Sequence, residues 1–227
     1  MISEPTRVLG LGAGGHAKVV IEILRLCGGY DIIGLLDPRE ALWGTSVSGV
    51  EVLGDDRRLA EIYAGGVRWA FVGVGSVQRT DIRKRLYDQL RNTGFTLVRA
   101  VHPQAIVSAA AEIGAGPIIM AGAIVNPAAR IGANVIINSG AIIEHDCLIE
   151  DHVHIATGAR LSGGVTVQAG AHVGIGATIK QNVNIGRESV VGAGAVVIKD
   201  VPDGKTVVGV PAQVLGSDSD SRLLYER

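Results

Sequence analysis

The chain has 227 residues, with 21 basic and 22 acidic side chains in no long blocks, two cysteines, 32 glycines and only 4% aromatics. That balance offers no basic footprint for nucleic acid, no basic amphipathic stretch for a membrane surface and no disulfide framework. No 18-residue apolar run occurs, and Met1-Ile2-Ser3-Glu4-Pro5 lacks the charged and apolar regions of a signal peptide, so a cytoplasmic protein without membrane insertion is expected.

The first hundred residues alternate strand-like and helix-like segments. Arg7–Leu11 reads as a short apolar strand, and Gly14–Cys27 as a helix with Val19, Val20, Ile23, Leu24 and Cys27 at helical spacing. A second strand over Ile32–Leu36 ends at Asp37-Pro38. A helix over Asp56–Tyr63, a strand over Trp69–Val74 and a helix over Gln78–Thr93 follow. Residues 1–99 are therefore expected to form an α/β domain with a parallel sheet, a half-Rossmann-like unit.

Within it, Gly10-Leu11-Gly12-Ala13-Gly14-Gly15 fits G-x-G-x-x-G after a strand and at the opening of a helix, with Asp37 at the end of the next strand. Helix N-terminal amides at such a loop cradle a pyrophosphate. Three readings fit: an NAD-linked oxidoreductase, a nucleotide-sugar site, or a turn kept glycine-rich for close strand–helix packing. The small size of the unit weakens the first.

From Val101 to Val197 every sixth residue is Val, Ile or Leu, in seventeen consecutive hits. This period matches neither a helix nor a flat strand, and indicates a hexapeptide-repeat parallel β-helix over residues 100–215, followed by a polar tail at 216–227. The fourth residue after most series positions is small (Ala123, Ala141, Cys147, Ala159, Ala177), so two of six side chains point inward and the rest outward. Glycines directly after series residues (Gly114, Gly132, Gly174, Gly186, Gly192) suit tight corners. Three hexapeptides make one coil, so residues 18 apart should stack.

That register sorts the candidate chemistry. Glu144, His145 and Asp146 lie between inward Ile143 and Cys147 and face out. His145 is suited to proton abstraction near neutral pH, and the neighbouring carboxylate raises its basicity. An ordinary surface histidine is the alternative. Gly163, 18 residues on, leaves space above the ring and a bare N–H for an oxyanion, unless Gly163-Gly164 only turns a corner. His154 also faces out, with His172 stacked on it. No Cys or buried carboxylate joins His152, His154 and His172, so no metal site is expected. Cys147 points inward and is a poor nucleophile.

The segments Gly12–Val20 (GAGGHAKVV), Ile143–Cys147 (IEHDC) and Val208–Ala212 (VGVPA) span about residues 7 to 215. Together they resemble the bacterial sugar O- and N-acetyltransferases with a left-handed β-helix, which include sialic-acid O-acetyltransferases and UDP-N-acetylbacillosamine-type N-acetyltransferases. The resemblance implies an acetyl-CoA-dependent homotrimer with active sites between subunits, acting on the amine of a nucleotide-linked sugar, most simply a UDP-sugar. It implies His145 as general base supported by Asp146. It puts His154, Gly163, Ile175 and Ala193 against acetyl-CoA, and Gly14, Gly15, His16, Asp37 and Gly75 on the substrate side. Sialic-acid O-acetylation is the alternative within that class, and a non-catalytic scaffold the alternative outside it.

Overall fold

The computed structural model describes residues 4–76 and 80–215, so the tail expected from residue 216 lies outside the described residues. In chain order the N-terminal elements are β1 (Thr6–Leu11), α1 (Gly15–Cys27), β2 (Tyr30–Leu36), β3 (Ser46–Val47), β4 (Val50–Gly54), α2 (Leu59–Ala64), β5 (Trp69–Val72), α3 (Asp81–Thr93) and β6 (Thr96–Leu97). A 3-10 turn over Asp56–Arg58 leads into α2. The start expected for the last helix, at Gln78, lies outside the described residues.

The sheet order is β3-β4-β2-β1-β5-β6. Every pairing is parallel except β3 with β4. This is fuller than a half-Rossmann unit, because three short strands that periodicity did not reveal extend both edges. The chain runs outward from β1 through β2 to β4, then returns to β5 and β6 on the other side. Strand order therefore reverses between β1 and β5, and in open parallel sheets such a switch point, beyond the strands' C-terminal ends, is where ligands bind. The α1 helix is amphipathic, burying Ala17, Val20, Ile21, Ile23 and Leu24, and it stops at Gly28 with φ +69°.

From Ala100 onward the chain winds as a three-sided prism of two-residue strands. The first wall stacks Ala100–Val101, Ile118–Ile119, Ile136–Ile137, His154–Ile155, His172–Val173 and Val190–Val191. The second runs from Ile106–Val107 through Ile142–Ile143 and Arg160–Leu161 to Val196–Val197. The third runs from Glu112–Ile113 through Leu148–Ile149 to Asn184–Ile185. Each partner is 18 residues away. The inward positions form one apolar column from Ile119 to Val207. In the first coil Val101, Val107 and Ile113 are only partly buried against it.

Two expectations change. The glycines directly after series residues do not turn the corners: Gly114, Gly132, Gly174, Gly186 and Gly192 have no left-handed φ. A Cβ at Gly132 would stand 2.7 Å from Asp151 N, and one at Gly174 2.7 Å from Ala193 N, so these glycines admit the next coil. The left-handed corner position falls two residues later, at Gly140, Gly158 and Gly176, and also at Asn134, Asp146 and His152. Second, outward does not mean solvated on the first wall. Ala100, Ile118, Met120 and Ile136 join Val8, Val20, Ile21, Leu24 and Phe71 in one buried cluster. Each large aliphatic there contributes about 1.5–3 kcal/mol of burial, which fixes the α/β domain on that wall.

Candidate active site

His145 occupies the corner between the second and third walls. Its side chain is 64% exposed, and Nδ1 lies 2.7 Å from Oδ2 of Asp146, itself 67% exposed. Asp146 takes the left-handed conformation (φ 60°) of the corner. The carboxylate accepts Nδ1–H, which leaves the Nε2 lone pair outward and raises the imidazole pKa above its ordinary value, mainly through that hydrogen bond. Both side chains are open to water in one chain, so screening moderates the effect.

Gly163 stacks on this ring as the 18-residue rule requires. A Cβ there would stand 2.6 Å from Cε1 and 2.7 Å from Nε2 of His145. Gly163 has no left-handed φ; its neighbour Gly164 does, at +70°, and donates its N–H to His145 O at 2.9 Å. Gly164 therefore turns the corner and Gly163 makes room for the imidazole. Among the described residues the N–H of Gly163 donates to no acceptor. Cys147 is 1% exposed in the column, and burial pushes its thiol up to about 11, so it is no nucleophile.

Ile175 and Ala193 lie exposed on the corner between the first and second walls, one coil apart, with Gly194 N–H donating to Ile175 O at 2.8 Å. Their own N–H groups donate to nothing among the described residues. On one prism they stand across the second wall from His145 and Gly163.

His154 departs from its expected setting. Its side chain leaves the prism axis but meets the α/β domain rather than solvent, and the residue is 7% exposed. Nδ1–H donates to Ser76 O, and Nε2 accepts from Asn138 Nδ2 at 3.3 Å. His172 packs edge-on at a 4.9 Å centroid distance. Burial pushes His154 down to about 3 and His172 to about 4, so both are neutral. Within one chain His154 tethers the loop after β5 to the first wall. His152 is held by Asn134 Nδ2 at 2.9 Å. The three rings do not converge, and no group of three or more His, Cys, Asp or Glu is placed for a metal among the described residues.

The glycine loop lies at the switch point. Gly10 and Gly12 answer to packing: a Cβ on Gly10 would meet Leu35 at 2.4 Å, and Gly12 has φ +105° with Val74 at 2.4 Å. Gly14 and Gly15 answer to neither, because a Cβ at either position meets nothing within 4 Å. They begin α1, whose N-terminus has no side-chain cap and no acidic residue in its first turn. Among the described residues the N–H groups of Gly14 and Gly15 donate to no acceptor, and the positive end of the helix dipole lies at this turn. His16 packs beside Gly75 at the same place, with its ring 3.6 Å from a Cβ built on Gly75.

Asp37, expected on the substrate side, is buried and paired within the chain. Oδ2 accepts Ala13 N–H and Arg39 Nη2–H, both at 2.8 Å, and Oδ1 accepts Arg39 Nε–H at 2.7 Å and Arg39 N–H at 3.1 Å. The Arg39 guanidinium leads in holding this carboxyl down to about 2. With its acceptor sites used, Asp37 shapes the glycine loop and positions Arg39, which is itself exposed.

Sequence reasoning missed Arg83, which is 1% exposed on α3 and donates to Val72 O, Val74 O and Asn134 O. Its signal was present: Arg83, Tyr87 and Leu90 share one buried stripe at helical spacing.

Residues 7–90 match the family described as the PglD N-terminal domain, and residues 128–163 match the bacterial transferase hexapeptide family with six repeats. No curated protein matches the chain. Among solved structures, a His-to-Asn mutant of perosamine N-acetyltransferase from Caulobacter crescentus, in complex with CoA and GDP-perosamine, is 38% identical with a TM-score of 0.87, over 96% of this chain and 99% of that one. The acetyltransferase domain of PglB from Neisseria gonorrhoeae, in complex with acetyl coenzyme A, is 37% identical with a TM-score of 0.86, over 93% and 100%. WeeI from Acinetobacter baumannii is 28% identical with a TM-score of 0.72, over 92% and 100%. With this fold, these two open sites and these relatives, the chain belongs to the bacterial sugar acetyltransferases with a left-handed β-helix.

Proposed function

We propose that the protein transfers the acetyl group of acetyl-CoA to the amine of a nucleotide-linked amino sugar. One observation carries the reading: a carboxylate-oriented imidazole with its Nε2 free, under a glycine that leaves it room, in a chain whose second open site is a helix N-terminus shaped for a diphosphate. The relatives bound to CoA with GDP-perosamine, and to acetyl coenzyme A, support both halves.

In this reading the neutral amine attacks the thioester carbonyl. The C–N bond forms, Nε2 of His145 takes the amine proton, and Asp146 stabilises the imidazolium. The N–H of Gly163 faces the carbonyl oxygen as it gains charge. The C–S bond then breaks and the proton passes to the departing CoA thiolate. No covalent enzyme intermediate is needed, in keeping with the burial of Cys147. The corner N–H groups of Ile175 and Ala193 are available to an extended donor.

The base stands on the corner opposite the first wall, and the α/β domain covers that wall. A single chain therefore keeps His145 away from its own glycine loop. We infer a homotrimer in which the base of one copy serves the glycine loop of the next. The second wall offers Ile106, Ile124 and Ile142 as an apolar stripe for that contact. UDP- and GDP-sugars share the diphosphate and ribose that loop would hold, and O-acetylation of a sialic acid is the rival. Thiol release from acetyl-CoA should be measured with UDP- and GDP-linked amino sugars, their hydroxy analogues and free sialic acid. Release with an amino sugar and an N-acetyl product is expected; release with sialic acid alone would overturn the assignment.

A further inference from the structure

Arg83 is a buried guanidinium with no carboxylate within salt-bridge reach among the described residues. Nη1 donates to Val72 O at 3.0 Å and Val74 O at 2.7 Å, and Nε to Asn134 O at 3.3 Å, while Nη2 has no partner. One further atom faces Nη1: Nε2 of His16, at 3.4 Å. Nη1 has two hydrogens and the two carbonyls engage them, so Nε2 shares one at best. A guanidinium nonetheless has donors and no acceptor, and the ring atom turned toward it presents a lone pair. A proton on Nε2 would point an N–H at a cation. The ring proton therefore sits on Nδ1. Nδ1 is beside Gly75, at the switch point of the sheet, and has no partner among the described residues.

We propose that Arg83 is a positioning residue of the acceptor site: it fixes His16 as a neutral imidazole that donates Nδ1–H to an oxygen of the nucleotide sugar and cannot act as a base. The identity of that acceptor rests on the function proposed above; the tautomer does not. Burial, the charge of Arg83 and the nearby His154 all oppose protonation of His16, which is held down to about 3. With Nε2 turned to Arg83 and Nδ1 protonated, the ring has no lone pair to offer. His145 is then the one open histidine base of this pair.

The tautomer is read directly in the full-length protein, labelled with 15N-histidine, by long-range 1H–15N correlation at neutral pH. The His16 signals are assigned by their loss in His16→Asn. A protonated Nδ1 and an unprotonated Nε2 are expected; an Nε2–H tautomer or an imidazolium overturns the proposal, whatever the substrate is. In a folded Arg83→Lys protein the Nδ1–H preference should weaken and KM for the nucleotide sugar should rise about 10-fold, with KM for acetyl-CoA unchanged. Should that variant not fold, His16 variants decide. Asn places its amide nitrogen near the Nδ1 position and Gln near Nε2. Both should raise KM for the nucleotide sugar, His16→Gln about 10-fold more than His16→Asn. The reverse order, or a loss of kcat with a shifted pH profile in both, overturns the proposal.

Discussion

Replacing Gly163 by Ala should separate catalysis from stability. The added Cβ would stand 2.6 Å from Cε1, 2.7 Å from Nε2 and 3.2 Å from Nδ1 of His145. Ordinary van der Waals contact begins near 3.4 Å, so the ring must retreat by about 0.8 Å or rotate away from Asp146. It has room to do so, being 64% exposed, and Gly163 carries no left-handed φ to strain an alanine. The cost to folding should therefore stay under about 1 kcal/mol. The cost to reaction should be much larger, since a displacement near 1 Å from the attack geometry costs about 100-fold in rate. Steady-state thiol release at saturating donor and acceptor gives kcat, and a thermal melt gives stability. An alanine enzyme with normal kcat would refute the claim that this glycine exists to seat the base. A collapse of the melting temperature would refute it differently, by making the glycine a folding requirement.

Other outcomes follow from the same geometry. Asp146 raises the His145 pKa, so the acid limb of kcat/KM should lie above the ordinary histidine value; Asp146→Asn should move that limb to lower pH and lower the plateau at high pH. An unmoved limb would show that another group sets it. Gly15→Glu should fill open space at the start of α1 and repel a diphosphate, raising KM for the nucleotide sugar at least about 10-fold. The same carboxylate should leave stability unchanged or raise it by about 0.3–1 kcal/mol through the helix dipole, as a denaturant titration would show. Cys147→Ala should lower stability by about 1–2 kcal/mol through the vacated volume while keeping kcat; loss of turnover in the folded variant would bring the thiol back into the chemistry.

The solenoid was legible because a backbone of two-residue strands forces a strict six-residue period, and that period alone turns His145 outward and Cys147 inward. Stacking at 18 residues placed Gly163 over His145 without coordinates. Which wall becomes an interface was not legible. Ile118-Ile119 and Ile136-Ile137 on the covered first wall read the same as Ile142-Ile143 on the open second wall. The burial of His154 follows from that choice of wall, so it was hidden too. The pairing of Asp37 was not legible because its partner, Arg39, is only two residues on, and a local Asp–Arg closure looks like any exposed charge pair in sequence. Short strands such as Ser46–Val47 and Thr96–Leu97 carry too few residues to show alternation.

The proposed reaction needs a base and a glycine loop that meet across two copies. His145→Ala and Gly15→Glu chains, each with little turnover alone at a nucleotide-sugar concentration well below KM, should therefore be co-expressed. The mixed assembly is purified through two different tags and assayed at that concentration. If each site joins the base of one copy to the glycine loop of the next around a closed ring of three, every mixed trimer holds one site with both parts intact. Thiol release should then recover to about a third of wild type. Mixed assemblies as inactive as either parent would contradict the shared site, because base and glycine loop would then have to come from a single chain.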